Sequence, residues 1–461
     1  MDRRRFLALG LAASSAPFLL RSTASATPAR PRRRVPAATG YIATRWDTDP
    51  WSRGSYSALP VGTSPAARAT LAQAIIGGRI VLAGEYASPQ YPATTTGAYL
   101  SGRHAAGRLL DRAQPRSVVI IGAGLAGAAA AARMRGAGVR VTVVEARDRI
   151  GGRIDTNRQW AAPVELGAAW IHGTGGNPLV PLARADGLRL VPTDYDDAVA
   201  RDTVTGRVSA QAESRWDRLD VLLEQLGNSW PAPTQSVEGW LRQRGWTDGR
   251  IDSWAAQVEI TQEYGLDPNQ LGVRATQEGA TYRGGDVLVA DGYDTIPRTL
   301  LEGIDVQLSS PVEQVTLEGR QVSVALASGR RLRADAVIVA VPLSLLRAGS
   351  PRISPMRADV RDAARSITTG VFEKIVLRYD EQWWGDQQVY GVVGGGAPGA
   401  PEGSLAALRW TEFYSLTNVV GFPVLVGFSG GRAAQARPDT AQGCAAEATA
   451  CLSAAFGAVG G

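Results

Sequence analysis

The sequence predicts an α/β protein of two domains, one of them a Rossmann-like nucleotide-binding sheet. Three observations lead there: a βαβ pattern between Ser117 and Arg153, a glycine triplet inside it, and a 44% apolar content over 461 residues, enough for two cores. Val118 to Ile121 is apolar and β-branched, as a strand covered on both faces should be. Gly122, Gly124 and Gly127 follow in G-x-G-x-x-G spacing: the first allows a tight turn, the second lets backbone approach a pyrophosphate, and the third lets helix pack on strand. The dipole and free N–H groups of the helix that opens there favour phosphate. Ala128 to Ala132 favour that helix, Gly136 and Gly138 end it, and Val141 to Val144 form the next strand. Glu145 closes the strand 18 residues after Gly127, where a carboxylate can accept hydrogen bonds from a ribose. In a chain with 53 glycines the triplet alone is weak, and its setting between two strands makes it specific.

At the N-terminus, residues 2–7 (Asp-Arg-Arg-Arg-Phe-Leu) begin a twin-arginine-type export signal. An apolar stretch from Phe6 to Leu20 follows, with a cleavage site after Ala24-Ser25-Ala26. The expected location is periplasmic, cell-wall or extracellular. The segment is short for a membrane span, so no stable span is expected, and an uncleaved anchor is the alternative. Residues 27–40 read as an Arg- and Pro-rich linker. The formal charge of +6 is concentrated in these two stretches, leaving the body near neutral, which does not support nucleic-acid binding. Cys444 and Cys451 lie seven apart in an alanine-rich helical stretch, about 10 Å by helical rise, and read as core residues, neither disulfide nor metal site.

Glu145 to Arg153, EARDRIGGR, resembles the extended fingerprint of FAD-dependent oxidoreductases, which implies that Arg147, Gly152 and Arg153 continue along the pyrophosphate and flavin and favours FAD over NAD. Thr44 to Ser57 (TRWDTDPWSRGSYS) and Arg79 to Leu110 resemble the closing segment of the flavin-containing amine oxidases, the family of polyamine oxidases, monoamine oxidases and lysine-specific histone demethylases. In that family the segment comes last, whereas here it precedes the fingerprint. Phe428 to Gly461 resembles the stretch that ordinarily comes just before it. The order therefore reads as circularly permuted, and joining Gly461 to Val35 would restore the usual one; a scrambled gene or an engineered rearrangement is the alternative. The resemblance implies that Glu85 binds the ribityl chain, that Thr94 and Thr95 open a helix aimed at the flavin ring, and that Val312 contacts adenine through its backbone. Ser55 stands where monoamine oxidases carry a flavin-linked Cys, and a hydroxyl cannot form that thioether, so FAD should be non-covalent.

Val164 to Val180, VELGAAWIHGTGGNPLV, is similar to the polyamine-oxidase branch and contains His172, one of two histidines. A neutral imidazole there could orient an amine or accept its proton; a hydrogen-bonded core histidine is the alternative. Among Asp196, Asp197, Glu259 and Glu263, only Glu263 is carried forward as a weak substrate contact, because such carboxylates more often form a solvated face. Trp216, Trp230, Trp240, Trp246 and Trp254 read as packing. Thr368 to Trp384 resembles the strand bearing the family lysine that holds a water at flavin N5. Lys374, on that stretch, is the single lysine among 49 basic residues, which suggests a demand that guanidinium cannot meet.

The resemblance implies a division into 41–180 for FAD, 181–271 for substrate, 272–345 again for FAD and 346–461 again for substrate, the substrate domain being discontinuous and of mixed sheet and helices. The resemblance implies oxidation of a small-molecule amine, a polyamine being favoured, by hydride transfer to FAD. The imine hydrolyses to an aldehyde, and O2 reoxidises the flavin to give H2O2. Lys374, His172 and Tyr56 are the implied catalytic residues, Tyr56 as an aromatic wall. Thr94 stands where monoamine oxidases place a second aromatic, which favours polyamines. An exported L-amino-acid or monoamine oxidase, and a non-catalytic flavin-binding protein, stay open. Oligomeric state is not legible.

Overall fold

The computed structural model describes residues 35–395, 400–401 and 404–457; the predicted export signal and residues 27–34 of the linker lie outside the described residues. A six-stranded sheet runs in the order Asp305–Gln307, Arg140–Val144, Ser117–Ile121, Ala336–Val339, Ile80–Leu82 and Ile75–Ile76. Its first five strands are parallel and the last is an antiparallel edge. Four of its strands read as near-continuous Val/Ile runs because both faces are covered. Ile80–Leu82, from the early segment, pairs directly with Ala336–Val339.

Helix Leu125–Gly136 packs on this sheet, and helix Thr95–Arg112 packs on that helix, closely enough that a Cβ on Gly102 would lie 2.0 Å from the carbonyl of Ala126. The first helix is alanine-rich because it is buried between layers: Ala128 to Ala131 are all at most 1% exposed.

The second sheet has seven strands, with Phe372–Arg378 and Val424–Gly430 second and third in its order beside the central Glu412–Ser415. Helix Ala441–Phe456 covers one face, and Cys444 and Cys451 are buried members of that layer with no disulfide between them. Val35 packs in the same cluster, so the first described residue and the last long helix share one core. Trp216, Trp240, Trp246 and Trp254 are core residues, whereas Trp230 is 85% exposed. Among the described residues, no helix is long and apolar enough to cross a membrane.

The boundaries read from sequence are displaced at three places. Gly40–Ala43 pairs with Phe372–Arg378 of the seven-stranded sheet, so residues 40–43 do not begin the FAD-binding unit. Leu190–Pro192 pairs with Val287–Val289, and Arg352–Ser354 with Val312–Glu318, each across a drawn boundary. Periodicity marks a strand but carries no information about its distant partner.

Candidate active site

One continuous cavity runs between the two sheets, from Glu145 and Val312 past the glycine turn to His172, Glu263 and Lys374. At the turn, Gly122 has φ +105°, a conformation that a side chain rarely adopts. A Cβ on Gly127 would lie 1.9 Å from the carbonyl oxygen of Gly122, so this glycine lets helix meet strand. Gly124 is different: a Cβ there meets nothing of the protein closer than 3.8 Å, and the residue lines the cavity. Its open side is room for a ligand.

Glu145 accepts from the backbone N–H groups of Ala123 (2.7 Å) and Arg147 (2.8 Å), which hold its carboxylate at the cavity. Arg147 is gripped by Asp49 at 2.6 and 2.8 Å; burial works to raise that carboxyl, and Arg147 overrides it and holds it below the usual range. The Gly151-Gly152 segment returns beside the turn, with Gly151 N–H donating to Ala123 at 2.9 Å. Arg153 donates to Glu85 (3.1 Å) and to the carbonyl of Ser55 (2.5 Å). Thr94 caps helix Thr95–Arg112, its hydroxyl accepting from Gly97 N–H at 2.9 Å, and Thr94, Thr95 and Ala98 line the cavity. The predicted cofactor-binding residues line this cavity except Gly127, which packs the helix on the strand behind the turn.

On the facing side, strand Phe372–Arg378 carries Lys374, 4% exposed, whose ammonium donates to the carbonyls of Glu165 (3.1 Å) and Gly167 (2.6 Å). It lies 5.7 and 5.8 Å from the ring centroids of Trp170 and Phe428. Burial pushes Lys374 down to about 8, against the charge of Glu165, and pushes the Glu165 carboxyl up to about 7. Tyr56 lines the cavity 6.1 Å from Phe372, its hydroxyl donating to the carbonyl of Gln262. Ser55 is tied to the backbone of Phe372 at 2.8 and 2.9 Å.

His172 is 40% exposed at its side chain and pairs through Nδ1 with Asp286 at 2.7 Å. Asp286 also accepts from Tyr195 (3.0 Å) and Gly173 N–H (2.9 Å); burial opposes its ionisation, yet His172 and these donors keep its pKa below the usual value. Nδ1 is engaged by Asp286, and the ring lines the cavity. Asp286 was missed in the sequence, where its only signal is a carboxylate between a glycine pair and a buried strand. Also missed was Glu278 on the cavity wall, which Arg68 grips at 2.7 and 2.8 Å in a fully buried pair.

Of the four carboxylates considered for distal amines, only Glu263 reaches the cavity. Glu259 instead accepts from the Trp216 indole, and Asp197 from Gln388 N–H at 3.0 Å. A π-helical turn, Gln257–Thr261, precedes Gln262–Tyr264, and all three of those residues line the cavity.

The sheet, the glycine turn and the facing walls define an oxidoreductase with a dinucleotide cofactor. The open side of Gly124 and the tethered carboxylate of Glu145 fit the pyrophosphate and ribose of FAD, and the same cavity continues to Lys374, where its lining would hold the flavin ring.

The family described as flavin containing amine oxidoreductase matches residues 21–110 and 125–460, and that described as pyridine nucleotide-disulphide oxidoreductase matches 76–165. Polyamine oxidase 3 of Oryza sativa subsp. japonica is 30% identical over 350 residues, spanning 69% of this chain and 68% of that protein. Lysine-specific histone demethylase 2 of Homo sapiens is 29% identical over 299 residues, 60% of this chain and 36% of that protein. The solved structure of putrescine oxidase bound to putrescine shares the fold, with a TM-score of 0.59 at 21% identity, over 74% of this chain and 82% of that one. The chain belongs to the flavin containing amine oxidoreductase family, and FAD is its cofactor.

Proposed function

We propose that the protein oxidises polyamines with O2 and water, giving an aldehyde, a shorter amine and H2O2. The observation that carries this reading is the state of the cavity's carboxylates. Glu85 and Glu278 are neutralised by Arg153 and Arg68, and Glu145 is tied to backbone amides. Glu263 makes no ion pair among the described residues and lines the same cavity. An unpaired carboxylate there attracts a second ammonium, which a polyamine has and a simple monoamine lacks.

FAD, when bound, supplies the two-electron acceptor for the α C–H of the amine. The chain supplies orientation and exclusion of water: Tyr56, Phe372, Phe428 and Trp170 form an apolar wall, Nε2 of His172 meets the substrate nitrogen, and Lys374 holds a water at the flavin. An L-amino-acid oxidase would need an arginine for the substrate carboxylate, and the two arginines on the cavity, Arg147 and Arg153, are both paired.

The permuted order and export belong to the same proposal. Val35 and helix Ala441–Phe456 share a cluster, which supports a junction between the two ends, and residues 2–26 support export before that cluster begins.

The test is anaerobic mixing of the holoenzyme with spermine, spermidine, putrescine, a monoamine and L-amino acids while the flavin absorbance is followed. Bleaching selective for polyamines is expected, and Lys374→Met should slow it by about 10²-fold. Bleaching by L-amino acids alone would overturn the substrate class, and an unchanged rate in the variant would remove Lys374 from the reaction.

A further inference from the structure

Glu165 is a buried carboxyl that the reaction above does not use, and it stands directly behind Lys374. The ammonium of Lys374 rests on the backbone carbonyl of Glu165, while the carboxyl of the same residue accepts from Thr156 (2.9 Å to each oxygen) and from Tyr293 N–H (2.8 Å). Both side chains are buried, at 8% and 4% exposure, and neither makes an ion pair within 4 Å among the described residues. Besides Lys374, Asp294 acts on Glu165 from before helix Thr295–Leu301, itself held by Arg158 at 2.6 Å and Arg298 at 2.9 Å, and the charge that acts on Lys374 is that of Glu165. The remaining surroundings of the ammonium are the rings of Trp170 and Phe428.

Two ionisable groups buried this way cannot titrate independently. Burial penalises the charged form of each, and each charge supports the other. Protons then leave in steps that belong to the pair. Burial raises the carboxyl and lowers the amine, which brings both into the range near neutral pH.

We propose that Glu165 sets the protonation of Lys374, the two side chains titrating as one unit beside the flavin site. Glu165 is thus a positioning residue for charge. The functional meaning rests on the reading in which Lys374 serves the oxidation.

The chain offers an unusually direct test, because Lys374 is its only lysine. Holoenzyme grown on lysine labelled with ¹³C at Cε gives one lysine resonance, which can be followed from acid to alkaline pH without substrate. The wild-type curve should show two inflections. In Glu165→Gln, whose carboxamide oxygen still accepts from Thr156 and Tyr293, the curve should become a single step, displaced to lower pH by about 1 unit because the supporting carboxylate is gone. Thr156→Val, which removes one donor to that carboxylate, should move the curve the same way by less, and it carries the test should Glu165→Gln fail to fold.

The pH dependence of flavin reduction should shift with the resonance. An unmoved resonance in both variants overturns the proposal even if polyamines bleach the flavin, whereas a shifted resonance in a protein that no amine bleaches sustains the pair and overturns the polyamine reading instead.

Discussion

The glycine turn, Glu145 and Arg153 come from one uninterrupted stretch, whereas Tyr56, His172, Glu263, Asp286 and Lys374 come from five segments that meet only in the folded molecule. The first wall is held mainly by backbone: Gly122 N–H on Val144, Glu145 on two amides, and Gly151 on Ala123. The second is held by side chains reaching over long separations, His172 to Asp286 across 114 positions and Arg68 to Glu278 across 210. A wall made of backbone offers one generic function, seating a dinucleotide. A wall made of distant side chains can be retuned residue by residue, which is where substrate choice should reside.

Two glycines of the same motif test the first half of that contrast, and the largest effect is expected there. Gly127→Ala forces a Cβ to within 1.9 Å of the Gly122 carbonyl, so helix and strand must separate. The variant should lose about 1–3 kcal/mol of stability and its flavin together. Gly124→Ala has room in the protein but occupies the ligand's space. It should keep the apo melting temperature and lose flavin alone, which absorbance after gel filtration will read. Equal stability losses in both would mean that backbone packing, and not ligand room, governs the whole turn.

Asp286→Asn tests the second half. Removing a hydrogen bond to a charged partner costs about 1.5–3 kcal/mol, so kcat/KM for the preferred amine should fall about 10- to 100-fold. Flavin content should be unchanged, because the Asp286 carboxylate accepts from His172, Tyr195 and Gly173 N–H, none of them a predicted cofactor-binding residue. Loss of flavin in this variant would show that the two walls are not separable.

The same contrast explains what could be read from the sequence. The βαβ unit was legible because every residue it needs lies within one stretch at fixed spacing. Lys374 was legible for a compositional reason, being alone among arginines, and Tyr56, His172 and Glu85 through motifs around them. Asp286 and Glu165 were not, since their meaning lies in partners that no local pattern names. Gly40–Ala43 was misassigned for the same reason: four residues of strand pattern say nothing of pairing with a strand more than 300 positions later. Glu263 was separated from Glu259 only by the π-helical turn, a register change that residue spacing does not reveal.

Glu263→Gln should give the smallest effect and the sharpest discrimination. Gly265, at φ +67°, ends the short helix that carries Glu263, and the turn before it sets which of its residues face the cavity. The side chain is half-buried, so its attraction for an ammonium is screened, about 0.5–1 kcal/mol. That corresponds to a rise in KM of about 2- to 5-fold for spermine or spermidine, with kcat nearly unchanged because the reacting carbon is held elsewhere. A monoamine, having no second charge, should show no change, and the polyamine effect should fade as salt is raised. An equal rise for both amines would make Glu263 a contributor to the general potential of the cavity. No rise for either would remove it from substrate recognition, and the missing anchor would have to be sought among the paired carboxylates, with Glu278 released from Arg68 as the first to examine.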